Sequence, residues 1–337
     1  HNMRKCHVSE LTGNEILAQS IYLEDGQILL KKGEIIESSY KESLLTLNVE
    51  EVFVQDQYEV YERPNLYLKS NQIKEFQQQL EDVLVHHVYK DNNRLKKLLK
   101  LATEMTDAVY SRENQKKIDV REHSGNIYEH IILTTLWSII VGKECGCEKE
   151  RLEQIALGAL LHDLGLCYVN ADYKNCCFEK MPPVEIFELK KHTILAYTAL
   201  EKEAWIPEIS KKMILSHHEK MDGSGYPLKQ KNQELECKII QVCDTADGIL
   251  SGIEREQGTL EDALKELRNH KKYDSNVVKV FESKIAKYPV GTKMQIENGK
   301  EVIVVSQTED SAQPEVIEVS DGEIHERRLT EKVIHIF

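Results

Sequence analysis

The sequence has no long apolar run, no C-x-x-C pair of cysteines and no excess of positive charge. Its most apolar stretch, IILTTLWSIIVG at 131–142, is shorter than the roughly 18 apolar residues that suggest a membrane-spanning helix. No apolar leader is expected. The eight cysteines include no C-x-x-C pair, which favours reduced, scattered thiols over a disulfide or zinc framework. We therefore expect a cytoplasmic protein without membrane insertion.

The acidic balance of the chain limits its partners. A net charge of −13 disfavours binding to DNA, RNA or an anionic membrane. No strand followed by a glycine-rich turn leads into a helix, so a Rossmann or P-loop nucleotide site is not predicted. An anionic small molecule stays compatible with this charge if metal ions reverse its sign inside one cleft.

The ends of the chain have a strand periodicity that its middle lacks. Residues 3–62 alternate apolar and polar side chains around the turn sequence Asp25-Gly26, and they include a short helical stretch. This pattern predicts a small N-terminal α+β regulatory module. Residues 288–337 alternate around Asn298-Gly299 and Asp321-Gly322, which predicts a short C-terminal β-meander.

The middle of the chain has helical periodicity. Residues 63–118 are highly charged and predict a helical linker, whereas 119–287 combine apolar helical segments with polar connections. The predicted fold class is therefore mainly α, with a helical bundle as the main unit between the two small modules.

Seven histidine and aspartate residues of this bundle lie on separate apolar segments. The pair His162-Asp163 follows the apolar run ALGALL, and a buried ionised aspartate is costly unless it is paired or binds a metal. Amphipathic helices can direct all seven side chains into one bundle interior. The residues are His130, His162, Asp163, His192, His217, His218 and Asp244.

Such a set of nitrogen and oxygen ligands suits first-row metals, with iron or manganese ahead of zinc or nickel. Seven ligands are too many for one ion and enough for two if one carboxylate bridges, and Asp163 lies between the two ligand groups in the chain. Two neighbouring ions can share a bridging hydroxide and clamp a phosphate, which is the chemistry of metal-assisted phosphoester hydrolysis. We expect His162 and Asp163 to be the catalytic pair.

Together with the stretch HHEKMDGSGYP at 217–227, these residues resemble the HD-GYP domain family. The stretch fits the family pattern HHE-x-x-DGSGYP at every fixed position, and the resemblance covers about residues 122–285. It implies a helical HD-type metal-binding bundle that hydrolyses a cyclic dinucleotide, above all cyclic di-GMP. It also implies two metal sites: His130, His162, Asp163 and Asp244 at one, and Asp163, His192, His217 and His218 at the other.

The same resemblance implies a substrate cleft lined by Asp222, Gly223, Gly225, Tyr226, Pro227 and Arg255. Alternate glycines permit close approach of a ligand to the backbone, and Pro227 stiffens the exit of the loop. The aromatic ring of Tyr226 can stack on a ligand or its hydroxyl can donate a hydrogen bond.

Three positions depart from the family pattern. Leu166 replaces the lysine of the HD-x-GK motif, so restoring a lysine there is expected to raise turnover if the missing charge limits it. The family's RPYR motif appears here as GIER at 252–255, in which only Arg255 is kept. Asn126 replaces the glutamate of members with a third metal, so two ions are expected, although Glu122 or His123 remains an alternative ligand.

Two other functions stay open. An inactive family member would act as a receptor for a cyclic dinucleotide, and its outer modules would report binding to a signalling protein partner or within a homodimer. A general HD phosphohydrolase acting on nucleotides would need only His130, His162, Asp163 and Asp244, and would leave the glycine loop without a role.

Overall fold

The computed structural model of the chain describes residues 3–23, 26–55, 65–112, 117–123, 125–320 and 323–337. Within these ranges a helical body carries a small N-terminal α+β module and a C-terminal antiparallel sheet, which confirms the predicted fold class. No helix in these ranges is both long enough and apolar enough to cross a bilayer. The division of the chain at residues 62, 118 and 287 stays a prediction.

The N-terminal module is built from short antiparallel strand pairs and one helix. β1 pairs with β6, β2 with β5, and β3 with β4. In β6, Val52 and Val54 are buried while Glu51 and Phe53 are exposed, as the period of two requires. The β3–β4 pair flanks the predicted Asp25-Gly26 turn, of which Asp25 lies outside the described residues. The elements are β1 (Met3–His7), β2 (Glu15–Ile16), β3 (Ile21–Tyr22), β4 (Ile28–Leu30), β5 (Ile35–Ile36), α1 (Tyr40–Thr46) and β6 (Glu51–Gln55).

The helical body surrounds one central helix, α4, in which every residue from His130 to Gly142 except Leu133 is buried, as expected for a helix inside a bundle. It packs against α5 and α9 and also contacts α2, α3 and α11. The helices are α2 (Ser70–Val85), α3 (Lys97–Tyr110), α4 (Ile127–Glu144), α5 (Lys149–Leu161), α6 (Pro183–Lys190), α7 (His192–Leu200), α8 (Glu208–Ser216), α9 (Leu235–Ser251), α10 (Leu260–Leu267) and α11 (Ser275–Lys284).

Helices α2 and α3 lie in the segment that the sequence predicts to be a charged linker. Their apolar faces nevertheless belong to the same core as α4 and α5: Leu80, Leu98 and Met105 are each fully buried there. The many charges of this segment therefore lie on the outer face of two packed helices.

The C-terminal part is a five-stranded antiparallel sheet with the order β10-β9-β8-β7-β11. The predicted turn at Asn298-Gly299 joins β7 to β8, and Gly299 has a φ of +80°, as this turn type requires. The other predicted turn, Asp321-Gly322, lies outside the described residues. The strands are β7 (Lys293–Ile296), β8 (Glu301–Ser306), β9 (Glu315–Ser320), β10 (Glu323–Arg328) and β11 (Val333–Ile336).

Candidate metal centre and adjoining cleft

All seven predicted ligands meet in the interior of the helical body, where each is at most 5% exposed. Most of them lie at helix ends. His130 lies in the first turn of α4, and His192 is the first residue of α7. His162 and Asp163 follow the last residue of α5, His217 and His218 follow α8, and Asp244 lies in the middle of α9.

Four of these residues form a first group, which comprises His130, His162, Asp163 and Asp244. The Nε2 atom of His130 lies 3.2 Å from Asp244 Oδ1 and 3.4 Å from Asp163 Oδ2. The Nε2 atom of His162 lies 3.2 Å from Asp163 Oδ2 and 3.4 Å from Asp244 Oδ1. Two imidazoles and two carboxylates therefore converge on one point and could hold a metal ion there.

A second group consists of His192, His217, His218 and Glu254. The Nε2 atoms of His192 and His217 are 3.0 Å apart. The other oxygen of Asp163, Oδ1, faces these two atoms at 3.8 Å and 3.6 Å. Asp163 thus directs one carboxylate oxygen to each group, which is the arrangement that a bridging ligand needs.

Backbone carbonyls fix the orientation of the imidazole rings. The Nδ1 atoms of His162, His192 and His217 lie 2.6, 2.7 and 2.8 Å from the carbonyl oxygens of Ala159, Leu189 and Ile214. Because a carbonyl can only accept, each Nδ1 carries the hydrogen and each Nε2 of the neutral ring presents a lone pair to the interior. Two such lone pairs 3.0 Å apart repel each other unless a cation lies between them.

Several buried polar atoms of the two groups have no hydrogen-bond partner. They are Nε2 of His162, both carboxylate oxygens of Asp163, Oδ2 of Asp244 and Oε1 of Glu254. Buried polar atoms are normally paired, and leaving a buried carboxylate unpaired costs several kcal/mol, on the order of the burial penalty for a charge. The donor set and its unpaired atoms therefore fit bound divalent cations.

A carboxylate supports the ring of His130 from the side opposite the metal position. The Nδ1 atom of His130 lies 2.7 Å from Asp247 Oδ2, and Asp247 Oδ1 lies 3.0 Å from Nε2 of His123. This carboxylate–imidazole arrangement is the usual outer partner of a metal-bound histidine. His123, an alternative third-metal ligand, is thus engaged by Asp247, and the side chain of Asn126 caps α4 by accepting from Tyr128 N and Glu129 N.

The histidines of the two groups differ in their readiness to take a proton. Burial lowers the pKa of His130, but hydrogen bonds to Asp163, Asp244 and Asp247 outweigh it and raise that pKa well above the ordinary value. Burial and the neighbouring His218 lower the pKa of His217 to about 4. Burial lowers the pKa of His218 as well, so His217 and His218 are neutral imidazoles, the form in which histidine binds metals.

A cleft of about 540 Å³ opens beside the second group. Gly225, Tyr226 and Arg255 from the predicted substrate set line it, together with the cationic side chains of Lys190, Lys220 and Lys272. The ring of Tyr226 stacks on that of His218, with centroids 4.7 Å apart and planes inclined by 24°. A ligand in this cleft would thus meet an aromatic face, four cations and the metal groups.

The remaining predicted substrate residues lie in the loop but not among the lining of this cleft. Asp222 Oδ1 accepts from the backbone N–H and the hydroxyl of Ser224 at 2.9 and 2.6 Å. Gly223 has a φ of +80°, and Pro227 follows a cis peptide bond. The structure thus places Asp222, Gly223 and Pro227 where they shape the loop.

Gly225 is required because the loop packs directly on the chain that carries the histidine pair. A Cβ atom there would lie 2.4 Å from both His218 O and Lys220 N. Buried Glu219 holds the exit of the loop by accepting from Leu228 N at 2.6 Å and Gln230 N at 2.9 Å. The third residue of the HHE stretch is thus a loop anchor.

Leu166, which stands in place of the family's lysine, is buried in a small apolar cluster with Cys176 and Leu189. The preceding Gly165 packs so closely on α7 that a Cβ would fall 1.8 Å from His192 O. The turn that carries Leu166 is therefore pressed against α7, and its side chain does not line the cleft.

Sequence reasoning missed Glu254 and Asp247. Glu254 lies in the segment GIER, where most of the family's RPYR motif is replaced. Only the fold brings this residue to the second group. Asp247 lies one helical turn after Asp244 on α9, so its i, i+3 spacing on the same face was a usable indication.

Comparisons with known proteins show what the chain is similar to. A family model described as HD domain matches residues 88–277. A cyclic di-GMP phosphodiesterase of Pseudomonas aeruginosa is 25% identical over 184 residues, which cover 53% of this chain and 44% of that protein. A cyclic di-GMP phosphodiesterase of Thermotoga maritima is 29% identical over 147 residues, which cover 42% and 40%. The chain thus spans less than half of the length of these relatives.

A solved structure is also similar. The HDGYP protein Bd1817 from Bdellovibrio bacteriovorus superposes with a TM-score of 0.50 and 16% identity, covering 83% of this chain and 98% of that one. At this identity the likeness concerns the fold.

Proposed function

Because the chain belongs to the HD domain family, and within it to the HD-GYP branch, we propose that it is a metal-dependent phosphodiesterase that hydrolyses a cyclic dinucleotide. Cyclic di-GMP is the first candidate, since the relatives named above act on it. The observation that carries the proposal is Asp163, whose two unpaired oxygens each face a separate group of inward-pointing imidazoles.

Two divalent transition-metal ions, iron or manganese ahead of zinc or nickel, suit this donor set. When bound, they supply Lewis-acid chemistry, polarising a phosphate and lowering the pKa of a coordinated water. His130, His162 and Asp244 would hold one ion, and His192, His217 and His218 the other. Asp163 would serve both.

The chain's own residues would bind and orient the substrate. Tyr226 offers one ring face to a base, and burial raises the pKa of its hydroxyl well above the ordinary value, so this group stays protonated and able to donate. Lys190, Lys220 and Arg255 line the same cleft and place positive charge where the phosphates would lie. Their charge would replace that of the lysine absent at position 166.

The alternative is a receptor that binds metal and cyclic dinucleotide without cleaving it. Leu166 favours this alternative, because its buried apolar side chain offers a phosphate neither charge nor a hydrogen-bond donor. The intact set of seven ligands favours the enzyme. A cytoplasmic location, a homodimer and a signalling protein partner stay predictions.

The test is to incubate manganese- or iron-loaded protein, prepared without oxygen, with cyclic di-GMP and related cyclic dinucleotides, and to separate the products by chromatography. The enzyme would release a linear dinucleotide or mononucleotides, and the Asp163→Asn variant would release neither. Binding by calorimetry without product would establish the receptor. A protein that neither binds nor cleaves these compounds would refute both.

A further inference from the structure

Glu254 is a buried carboxylate that the seven predicted ligands do not include. It follows α9 by three residues, and only 4% of it is exposed. Its backbone has a φ of +58°, in the left-handed region that residues with a side chain rarely occupy. A glutamate held in this conformation and turned away from water needs a compensating interaction.

A neighbouring loop holds this backbone in place. The N–H of Glu254 donates to Tyr173 O at 2.6 Å, and the N–H of Asn175 donates to Gly252 O at 2.7 Å. Between them, Lys174 and Ile253 form an antiparallel bridge. The position of Glu254 is therefore set by paired backbone, and its side chain is directed to the histidines.

The carboxylate of Glu254 reaches the second group of histidines. Its Oε2 atom lies 2.9 Å from His218 Nε2, and its Oε1 atom lies 3.3 Å from His192 Nδ1 and has no hydrogen-bond partner. One ligand atom from each of His192, His217, His218 and Glu254 lies within 4.8 Å of all the others. A single ion can therefore contact all four.

We propose that Glu254 is an additional protein ligand of the second metal, beside His192, His217 and His218. The inference rests on the proposed function for the presence of that metal. Three imidazoles supply no negative charge of their own, and Asp163 would share its charge between the two ions, so the carboxylate of Glu254 adds charge that retains a divalent cation at the second position. Glu254 also lines the cleft, so its charge would lower the positive charge that a phosphate bound there meets.

The test compares metal binding to wild type and to Glu254→Gln. Metal-free protein is titrated with Mn²⁺ or Zn²⁺ alone in competition with a chromophoric chelator. Wild type is expected to bind two ions, and Glu254→Gln to bind the first unchanged and the second at least 10-fold more weakly. Glutamine still accepts a hydrogen bond from His218, so a Glu254 that only orients that ring would leave both affinities unchanged and overturn the proposal.

A second variant and a control distinguish the loss of a metal ligand from misfolding. Glu254→Gly removes the carboxylate and suits the left-handed backbone, so it should fold at least as well as wild type and also lose affinity for the second ion. Glu104→Gln removes a carboxylate on α3 that pairs with Lys100 at 3.4 Å and lies outside the cleft, and it should bind both ions as wild type does.

This outcome is separable from that of the proposed function. A wild type that binds no second ion refutes both. A wild type with two ions, whose second ion is held equally well by Glu254→Gln and Glu254→Gly, refutes only the role of Glu254.

Discussion

Replacing Asp163 with asparagine tests the proposed bridge between the two candidate metal positions. The substitution keeps the shape of the side chain and removes its charge, and one of the two oxygens becomes an NH₂ group that cannot bind a metal. Since Oδ2 faces His130 and His162 and Oδ1 faces His192 and His217, both sites should weaken. Loss of an outer-shell partner alone typically lowers metal affinity about 10- to 100-fold, so a direct ligand should cost about 100-fold or more.

The magnitude follows from mass action. At a metal concentration of about 100 times Kd, each ion stabilises the folded state by about 2.7 kcal/mol, so two ions contribute about 5 kcal/mol. If Asp163→Asn weakens both sites 100-fold, each contribution falls to about 0.4 kcal/mol. With an unfolding entropy of about 2.1 cal/mol/K per residue, the lost 4 to 5 kcal/mol corresponds to roughly 6 °C in the metal-induced rise of Tm.

The assay is thermal unfolding of metal-free and metal-loaded protein, together with metal content after gel filtration. Asp107→Asn is the control, because Asp107 is half-exposed and pairs only with Lys149 at 2.6 Å among its ion-pair contacts in the described chain. Two retained ions and an unchanged rise in Tm would show that Asp163 bridges nothing. Loss of only one ion would assign it to a single site.

Three further outcomes are expected. Leu166→Lys should lower the free energy of unfolding by roughly 2 kcal/mol or more in denaturant titrations, because it buries a charge beside Leu189. A stable variant with raised turnover would contradict this prediction. Burial, with Arg255 nearby, lowers the pKa of Lys220 to about 7. The KM for the dinucleotide should therefore rise above pH 7 in wild type but not in Lys220→Arg. Equal pH profiles of KM would exclude a role of Lys220 in substrate binding. Burial opposes protonation of His123, but Asp247 raises its pKa to about 10. Its imidazolium therefore stabilises the fold fully below about pH 6.5, and this contribution, on the order of 4 kcal/mol, is lost between pH 6.5 and 10; urea unfolding of wild type and His123→Gln should converge over that range.

The candidate metal centre could be predicted from the sequence because its parts have local causes. Each ligand lies at the end or on the inner face of an apolar helix, so the spacing of polar residues in an apolar pattern locates it. Asp163 could be named as the bridge from its position between the two ligand groups, and its two oxygens do face different groups. The strand pairs around Gly26 and Gly299 likewise follow from turn residues and alternation.

What the sequence did not provide depends on contacts between distant segments. Glu254 is brought to the histidines by the backbone of residues 173–175, a contact that spans about eighty positions of the chain. Leu166 could be recognised as a missing lysine, but only the fold reveals that its side chain packs away from the cleft. The sequence-based expectation that a lysine there raises turnover is revised for this reason.

The charge of the cleft explains why the proposed metal and substrate sites would depend on each other. The lining carries four cations and also four carboxylates, Glu179, Glu254, Glu256 and Glu266, so it is formally neutral. Asp163 and Asp244 behind it make the whole site negative by two charges. Two divalent cations would reverse this to a positive charge of two, and only then does the site attract a phosphate diester within a chain of net charge −13. The acidity of the protein therefore does not exclude an anionic substrate, because Asp163, Asp244 and Glu254, which would repel it without metal, are also the carboxylates that would hold the ions.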